Sequence, residues 1–466
     1  MEAIAEKQVT DYKKVGEAKK AFFESSATRG YDFRKKQLKK LKQVITDNEA
    51  EIIAALKQDL HKPAFESFTS EISLLYAEID DALKNLKKWM KPKRVSTPII
   101  HFPTTSKVYT EPLGVVLIIG PWNYPFQLLM APVIAAMAAG NCAVLKPSEE
   151  TPATSTLIHQ LIEQNFDSNY LSVIEGEGAE VVPAAVDAFR FDHIFFTGSV
   201  PVGQKIYEMA AKQLIPVTLE LGGKSPTIVD ATADLKVAAR RIAWSKFFNA
   251  GQTCVSPDYL LIEEKVKTAF VAEFKNAVVD FYGENPKESP DLARIVNDKR
   301  MKALKQFLEV GEILMGGQID DDSLYIAPTL LDNVSFDDQV MQEEIFGPIL
   351  PIITYKHATE IKEVIAKNPY PLSLYLYTKD SKLEKMIINQ VQFGGGSINN
   401  GLIHLSNANL PFGGIGYSGI GNYHGKSGFM AFSHQKSISK TRFFYDNNVK
   451  YPAYKDWKIK FVKKFL

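Results

Sequence analysis

The sequence predicts an α/β protein built around a doubly wound, mostly parallel β-sheet. From Gly114 onward, short apolar stretches alternate with turns and helical segments, and repeated strand–helix units of this kind place helices on both faces of a sheet. The stretch 114–120 is apolar throughout and 142–146 nearly so, which is typical of strands buried on both faces. A second series of strands and helices follows Glu220, so we expect two α/β units.

The composition is that of an ordinary globular protein. The 466 residues are 45% hydrophobic and 23% charged, enough for two or three domains with their own cores. With 55 Lys and Arg against 54 Asp and Glu, no net charge attracts nucleic acid. The two cysteines, Cys142 and Cys254, exclude a disulfide framework, and the start lacks a signal-peptide pattern. No run approaches the roughly 20 apolar residues of a membrane span, and we therefore expect a cytoplasmic protein. The eight histidines form no His-x-x-x-His pair, so no metal site is predicted.

Residues 10 to 90 are predicted to be helices with a structural role. Apolar residues recur at helical spacing in two segments, namely Leu38, Leu41 and Ile45, and Ile72, Leu75, Ile79, Leu83 and Leu86. Residues 91–98 break this pattern with two prolines and are predicted to form an extended connector. Alternation from Val108 onward predicts a hairpin or arm before the sheet.

Three residues of the first α/β unit lie where predicted strands end. Asn123 follows the strand 114–120, Lys146 ends the next strand, and Gly198 follows the strand 193–197. Ligands of doubly wound sheets bind beyond the carboxyl ends of the strands, so these positions suit a nucleotide. A turn-forming asparagine and a solvated lysine are the plain alternatives.

The loop Gly198–Gly203 is expected to lead into a helix that begins near Gln204. Its glycines would let a ligand approach the backbone, and a helix start favours negative charge. An ordinary turn has the same composition, so the loop alone is a weak signal.

The second unit repeats the strand–helix rhythm after Glu220. Its predicted strands lie at 227–230 and 259–263 and near 325–332 and 349–355, and its helices begin at Asp234 and lie near 267–280 and 298–309. The string Gln-Glu-Glu-Ile-Phe-Gly-Pro at 342–348 falls in a loop between strands, a composition that surface turns share.

Two chemically active side chains lie in a predicted loop of this unit and at the end of the strand that precedes it. Cys254 lies between the end of a helix and the start of a strand, where a single thiol is a candidate nucleophile. An ordinary buried cysteine is the plain alternative. Glu220 ends a strand before a glycine pair, where most carboxylates simply face water.

Taken together, Glu-Leu-Gly-Gly-Lys at 220–224 and Gly-Gln-Thr-Cys at 251–254 resemble the two signatures of the aldehyde dehydrogenase superfamily. The resemblance extends to about residue 440. It implies the fold of that family, with a Rossmann-like cofactor domain, an α/β catalytic domain and a small β oligomerisation arm. The implied limits are 1–91 and 113–218 for the cofactor domain, to which 403–430 returns, 219–402 for the catalytic domain, 92–112 and 431–450 for the arm, and 451–466 for a C-terminal tail.

The resemblance also assigns roles to residues. It implies Cys254 as nucleophile, Glu220 as general base and the Asn123 amide as a donor to the oxyanion. Tyr124 and Phe412 would line the substrate tunnel. The residues expected to bind the cofactor are Trp122, Lys146, Glu149, Gly198, Ser199, Gly203, Leu221, Glu344 and Phe346. The segments 394–400 and 411–419 would line the substrate entrance.

Several features resemble the short class 3 branch of the family, among them Tyr124 after Asn123 and the string at 432–436. The branch implies a homodimer that oxidises medium- or long-chain aliphatic or aromatic aldehydes to carboxylic acids through a cysteine thiohemiacetal and thioester. Glu149 would repel a 2′-phosphate, so NAD is expected over NADP, with NADP as the second cofactor. The alternatives are a catalytically idle homologue with a structural or binding role and an acyl transferase without redox chemistry.

The C-terminal segment 455–466 carries five lysines and one acid. Trp457, Phe461 and Phe465 repeat at i, i+4 and i+8, which predicts an amphipathic helix. We expect this helix to pack on its own subunit or on a partner subunit. The alternative is peripheral contact with an anionic membrane.

Overall fold

The computed structural model of the protein describes residues 11–464, and these begin with a helical region that ends in two strands. The elements of this region are α1 (Tyr12–Glu24), α2 (Tyr31–Asp47), α3 (Glu49–Leu60), α4 (Ala64–Ser67), α5 (Ser73–Met90), β1 (Lys93–Val95) and β2 (Thr104–Pro112). A π-helical turn, Phe68–Ile72, connects α4 to α5. The apolar faces predicted from the sequence are buried, as Leu38 and Ile79 show.

The first α/β unit contains the doubly wound sheet that the sequence predicts. Its elements are β3 (Val115–Ile119), α6 (Gln127–Ala139), β4 (Cys142–Lys146), α7 (Pro152–Asn165), β5 (Leu171–Val173), α8 (Gly178–Ala188), β6 (His193–Thr197), α9 (Val200–Lys212) and β7 (Val217–Glu220). The parallel strands lie in the order β5-β4-β3-β6-β7. β4 and β5 lie on one side of β3, and β6 and β7 lie on the other, so the order in which strands are added reverses between β3 and β6. A crevice forms beyond the carboxyl ends of the strands at such a point.

The second α/β unit is a seven-stranded sheet with helices on both faces. Its elements are β8 (Pro226–Val229), α10 (Leu235–Phe247), β9 (Tyr259–Glu263), α11 (Lys267–Tyr282), α12 (Asp298–Gln306), β10 (Glu312–Met315), β11 (Ile319–Asp320), β12 (Tyr325–Ile326), β13 (Thr329–Asp332), α13 (Gln339–Gln342), β14 (Ile349–Tyr355), α14 (Glu360–Ala366), β15 (Ser373–Tyr377), α15 (Ser381–Gln390) and β16 (Gly395–Ile398). The strand order is β10-β13-β14-β9-β8-β15-β16, and only the edge pairing of β10 with β13 is antiparallel among these described strands. β11 and β12 form a separate small pair.

The C-terminal part of the chain returns to the first sheet and then leaves it. Its elements are β17 (Gly419–Ile420), α16 (Gly425–Ala431), β18 (Ser433–Thr441) and α17 (Asp456–Val462). β17 pairs with β7, and β18 pairs with β2 along its whole length, which makes the three-stranded sheet β1-β2-β18. None of the helices within residues 11–464 has the length and apolar character needed to cross a membrane.

The predicted α/β class is confirmed, and one local expectation is wrong. α9 begins at Val200 instead of near Gln204, so Gly203 lies in its first turn. The reason is Pro201, which fits the start of a helix because its fixed φ suits that position and its missing N–H costs nothing there. α17 lies on the surface with Trp457 about half exposed, so packing on its own subunit is disfavoured and packing on a partner subunit stays a prediction. Phe465 lies outside the described residues. The domain limits stay predictions.

Candidate active site

Cys254 lies in the loop 248–258 between α10 and β9 and borders a cavity. The chain reverses at Asn249, Ala250 and Gly251, whose φ angles are 52, 53 and 73°. This left-handed conformation is costly for residues with a side chain and persists only where the surroundings stabilise it. A Cβ atom at Gly251 would overlap the carbonyl of Gly347, so only glycine fits there.

The turn that carries Asn123 follows β3 and is bonded to the Cys254 loop. Asn123 is buried, and its Nδ2 donates to the carbonyl of Gln252 (3.0 Å). Its own carbonyl accepts from Asn249 Nδ2 (2.9 Å). The hydroxyls of Tyr124 and Thr253 also bond to each other at 2.6 Å. The structure therefore brings the predicted amide to the segment that ends in the predicted nucleophile.

Glu220 ends β7 and is buried. Neither carboxylate oxygen has a hydrogen-bond partner among residues 11–464. Burial raises the pKa of Glu220 well above its ordinary value. Buried polar groups are normally paired, so a carboxylate left without a partner is a candidate for chemistry.

The thiol of Cys254 shares this environment. Burial raises its pKa, and the nearby carboxylates of Glu344 and Glu220 raise it further. The three groups therefore interact electrostatically in one cluster. Because a thiolate is the reactive form, the thiol needs a local base or a donor to its product before it can react.

Glu344 and Phe346 lie in the loop between α13 and β14, as predicted. Glu344 folds over Gly222, where a side chain would overlap its carboxylate, and burial and Asp258 raise its pKa to about 8. Phe346 packs edge-on against Trp122, with 5.2 Å between the ring centroids.

A buried ion pair between Lys224 and Asp258 holds the backbone of this loop. Lys224 Nζ donates to the carbonyl of Glu343 (2.7 Å), and the N–H of Ile345 donates to Asp258 Oδ1 (2.9 Å). Lys224 and Asp258 thereby fix the segment that carries Glu344.

Lys146 and Glu149 form an ion pair at the end of β4. Lys146 Nζ donates to Glu149 Oε2 (2.7 Å), and the other carboxylate oxygen accepts from the N–H of Gly178 (2.7 Å). Burial opposes ionisation of Glu149, but these hydrogen bonds outweigh it and lower the pKa of the carboxyl. Glu149 is therefore an ionised acceptor at the edge of the crevice.

The remaining predicted cofactor residues lie along the ends of β6 and β7. Gly198 donates its N–H to the carbonyl of Glu220 (3.0 Å), and Ser199 is exposed beside it. Gly203 packs against Leu221, whose side chain would lie 2.5 Å from a Cβ atom at the glycine. By their chemistry these groups fit a dinucleotide: an aromatic pair, backbone N–H groups at a helix start, and a lysine and a carboxylate suited to ribose hydroxyls.

A cavity of about 320 Å³ leads from Cys254 to the surface. Its lining includes both predicted tunnel residues, Tyr124 and Phe412. The other side chains are Phe65, Thr69, Ser70, Leu74, Gln127, Leu128, Trp244, Phe248, Thr253, Val255, Leu402, Ile403, Leu405, Ser406, Tyr423 and His424. The walls are mainly apolar, and a tunnel of this kind suits an apolar substrate.

Two expectations about this cavity are corrected. Of the segments 394–400 and 411–419, only Phe412 contributes to the lining, and Leu402, Ile403, Leu405 and Ser406 take their place. The N-terminal helices are not purely structural, because Phe65 and Leu74 line the cavity. Trp244 and His424 also went unpredicted. Helical periodicity reports which face of a helix is buried but not which other segments it meets, so no local signal marks these residues.

A family model described as "Aldehyde dehydrogenase family" matches residues 1–438. The chain belongs to the aldehyde dehydrogenase family. This aldehyde dehydrogenase is 49% identical to the 4,4′-diaponeurosporen-aldehyde dehydrogenase of Staphylococcus aureus, with 96% of this chain and 97% of the relative covered. It is 46% identical to aldehyde dehydrogenase family 3 member H1 of Arabidopsis thaliana, with 95% and 92% covered.

Solved structures agree with this assignment. The substrate-bound state of S. aureus AldH matches with a TM-score of 0.96 at 47% identity and covers 98% of this chain and 100% of that chain. An NAD-dependent aldehyde dehydrogenase from Sinorhizobium meliloti matches with a TM-score of 0.84 at 29% identity, covering 93% and 88%. The predicted family, its class 3 branch and the fold are confirmed. The aldehyde dehydrogenase is thus an oxidoreductase that acts on aldehydes.

Proposed function

We propose that this enzyme oxidises medium- or long-chain aliphatic or aromatic aldehydes to carboxylic acids, with Cys254 as nucleophile, Asn123 as oxyanion donor and Glu220 as general base. The observation that carries the proposal is the convergence of these three groups. The Asn123 amide bonds to the segment before Cys254, and the unpartnered Glu220 carboxylate raises the pKa of the same thiol.

In the first step the Cys254 sulfur attacks the aldehyde carbon as a thiolate. A C–S bond forms, and the π electrons of the carbonyl move to its oxygen. Asn123 Nδ2, which already donates one hydrogen to Gln252, has a second hydrogen for that oxyanion. One donor of this kind is worth about 3 kcal/mol of barrier, or roughly a hundredfold in rate.

When bound, NAD or NADP supplies the acceptor for the hydride that leaves the thiohemiacetal carbon. An acyl thioester then remains on Cys254. Glu220 takes a proton from a water molecule, whose oxygen attacks the acyl carbon, and the C–S bond breaks to release the acid and the thiolate. A positioned carboxylate base typically contributes about 10²- to 10⁴-fold.

Trp122, Lys146, Glu149, Gly198, Ser199, Gly203, Leu221, Glu344 and Phe346 are proposed to hold the cofactor. NAD is proposed over NADP because the ionised Glu149 can accept from a ribose 2′-hydroxyl and would repel a 2′-phosphate. The NAD-dependent relative from S. meliloti supports NAD chemistry in this fold. The ratio of kcat/KM with NAD to that with NADP measures the preference, and a ratio below one contradicts it.

The apolar cavity supports an apolar aldehyde. Isoprenoid-derived aldehydes are also candidates for an apolar tunnel, and the name of the S. aureus relative, a 4,4′-diaponeurosporen-aldehyde dehydrogenase, supports them. A panel of aldehydes with graded chain length would identify the class that the cavity accepts.

We also propose a homodimer assembled through the sheet β1-β2-β18 and peripheral contact of the C-terminal segment with anionic membranes. Free thiols at Cys142 and Cys254 support a cytoplasmic location.

The direct test follows NADH absorbance with purified enzyme, NAD and the aldehyde panel. We expect Cys254→Ser to abolish turnover while NAD still binds. Glu220→Gln should release about one NADH per active site and then stall, because the thioester forms but is not hydrolysed. Normal steady turnover by Glu220→Gln would remove Glu220 from its role, and no NADH from any aldehyde would favour a catalytically idle homologue.

A further inference from the structure

The turn that carries Asn123 is held by residues from the N-terminal helical region. Lys62, in the loop after α3, is fully buried, and its Nζ donates to the carbonyl of Asn123 (3.0 Å). The same ammonium lies 4.2 Å from the centroid of the Tyr124 ring. With Asn249 Nδ2 on its second lone pair, the Asn123 carbonyl has two donors and little freedom to rotate.

Glu71, in the π-helical turn, completes this arrangement. One carboxylate oxygen accepts from Lys62, and both side chains are fully buried. The other oxygen accepts from the N–H groups of Phe126 (3.1 Å) and Gln127 (3.0 Å), at the start of α6. The pair therefore forms hydrogen bonds with the backbone at both ends of the turn, Lys62 with residue 123 and Glu71 with residues 126 and 127.

The Cys254 loop is anchored from the same region. Glu66 Oε2 accepts the N–H of Asn249 (3.0 Å), the residue whose amide bonds to the Asn123 carbonyl. The N-terminal helical region thus supports both the turn and the loop, although it is distant from them in sequence. Lys62 lies 61 residues before Asn123, and Glu66 lies 183 residues before Asn249.

We propose that Lys62 and Glu71 are positioning residues that hold the Asn123 amide where it can donate to the oxyanion formed at Cys254. The inference rests on the proposed function. Neither side chain touches the substrate cavity, so both act through the turn. A displacement of about 1 Å in a catalytic group can cost on the order of a hundredfold in rate. The Asn123 carbonyl accepts from two donors, and the buried Glu71 carboxylate holds one of them, Lys62, in place. These contacts resist such a displacement of Asn123.

The test compares Lys62→Met and the double variant Lys62→Met/Glu71→Gln with the wild type. Lys62→Met leaves the Glu71 carboxylate buried without its cation, which destabilises the fold. The double variant keeps the site neutral, and the amide oxygen of the glutamine can still accept from the start of α6. We expect the double variant to recover thermal stability while kcat/KM for aldehyde oxidation stays about 10- to 100-fold below wild type in both variants.

Two further readouts separate positioning from general damage. The affinity for NAD and the rate at which iodoacetamide alkylates Cys254 should stay within about twofold of wild type, because neither needs the oxyanion donor. In an Asn123→Ala background, Lys62→Met should lower kcat/KM by no more than about twofold further, because residues that act through one group are not additive.

Lys19→Met is the matched control. Lys19 is also fully buried and also donates its Nζ to a main-chain carbonyl, that of Ser168, but it lies on α1. We expect this variant to lose stability and keep kcat/KM within about twofold of wild type.

Wild-type kcat/KM in the double variant, or losses that multiply with that of Asn123→Ala, would overturn the positioning role and leave the proposed function intact. Full activity of Asn123→Ala itself would instead remove the oxyanion donor from the proposed function, and the positioning role with it. The Asn123→Ala result therefore tells the two failures apart.

Discussion

Glu220 is buried and Cys254 is partly buried, and both environments disfavour the reactive form of the group. Burial raises the pKa of the carboxyl and of the thiol, and the carboxylates of Glu220 and Glu344 raise the thiol pKa further. At a given pH the ionised form of each group is therefore less populated than it is in an unperturbed carboxyl or thiol. The proposed chemistry needs a thiolate for attack and a carboxylate for hydrolysis, so each step depends on removing a proton.

We expect kcat and kcat/KM to rise as the pH is raised through and above neutrality, by up to about tenfold per unit where one deprotonation limits the rate. The sign follows from the direction of the shifts, since a raised pKa moves the active, ionised form to higher pH. The pH profile of the NADH burst reports the ionisation of Cys254, and the pH profile of steady turnover also includes the ionisation of Glu220. In Glu220→Gln the burst should keep its rise, because the thiol still titrates. A flat or falling wild-type profile would contradict the assignment.

The single residues that the sequence could identify are those whose neighbours in the chain define them. Cys254 and Glu220 stand in distinctive strings, and Asn123 follows an all-apolar strand, so their positions at strand ends and in loops were predictable. Lys62 and Glu71 carry no such mark. Their proposed role depends on contacts with Asn123, 61 residues after Lys62, and with Phe126, 55 residues after Glu71, and sequence periodicity does not predict such contacts.

The elements themselves were largely predictable because their patterns are local. β3 is a run of apolar residues, β4 is apolar up to its last residue, Lys146, and both strands are buried along their whole length. The predicted start of α9 near Gln204 is wrong because it assigns Pro201 to a loop, although proline is well suited to the first turn of a helix. The cavity was predictable only in part, because its walls come from segments as distant as Phe65, Trp244 and Leu402.

The short helix α17 presents apolar side chains to the surface, with Trp457 and Ile459 each about half exposed. Lys458 and Lys460 share this segment, and basic amphipathic helices bind anionic bilayers through both kinds of side chain. Each lysine near such a surface contributes about 1 kcal/mol.

We expect the full-length enzyme to float with vesicles that contain anionic phospholipid at low salt, and a chain ending at Tyr454 to stay in the soluble fraction. Vesicles of neutral phospholipid alone and high salt are the controls, because both remove the electrostatic part of binding. Equal recovery of the two chains in the lipid fraction would dismiss the membrane role and favour packing of α17 on a partner subunit.

In the whole molecule, the proposed catalytic groups come from two different sheets. Asn123 and Glu220 lie at the ends of β3 and β7 in the first sheet, and Cys254 precedes β9 in the second. The site therefore exists only when the two α/β units are correctly docked. The N-terminal helices contribute to this docking, since Lys62 bonds to the first unit and Glu66 to the loop of the second.

The third sheet, β1-β2-β18, belongs to neither unit. β18 lies at its edge and is exposed along nearly all its length, with Ile438 42% exposed. An exposed edge strand is a template for pairing with another chain, and proteins rarely leave one uncovered. Phe102, Phe444 and Tyr445 form an exposed aromatic group in the same part of the chain, and such patches mark interfaces.

We expect sedimentation equilibrium to give the mass of a dimer for the wild type, and Ile438→Asp to raise the dissociation constant of the dimer by about tenfold or more. A tenfold rise in that constant corresponds to about 1.4 kcal/mol of binding free energy, which we expect from a carboxylate in place of the apolar side chain of Ile438. Ile319→Asp is the matched control, because Ile319 is also about 40% exposed on a strand, β11, that lies outside the arm. The control should keep the mass of the wild type. A monomeric wild type, or equal weakening by both substitutions, would show that the arm does not join two copies of the chain.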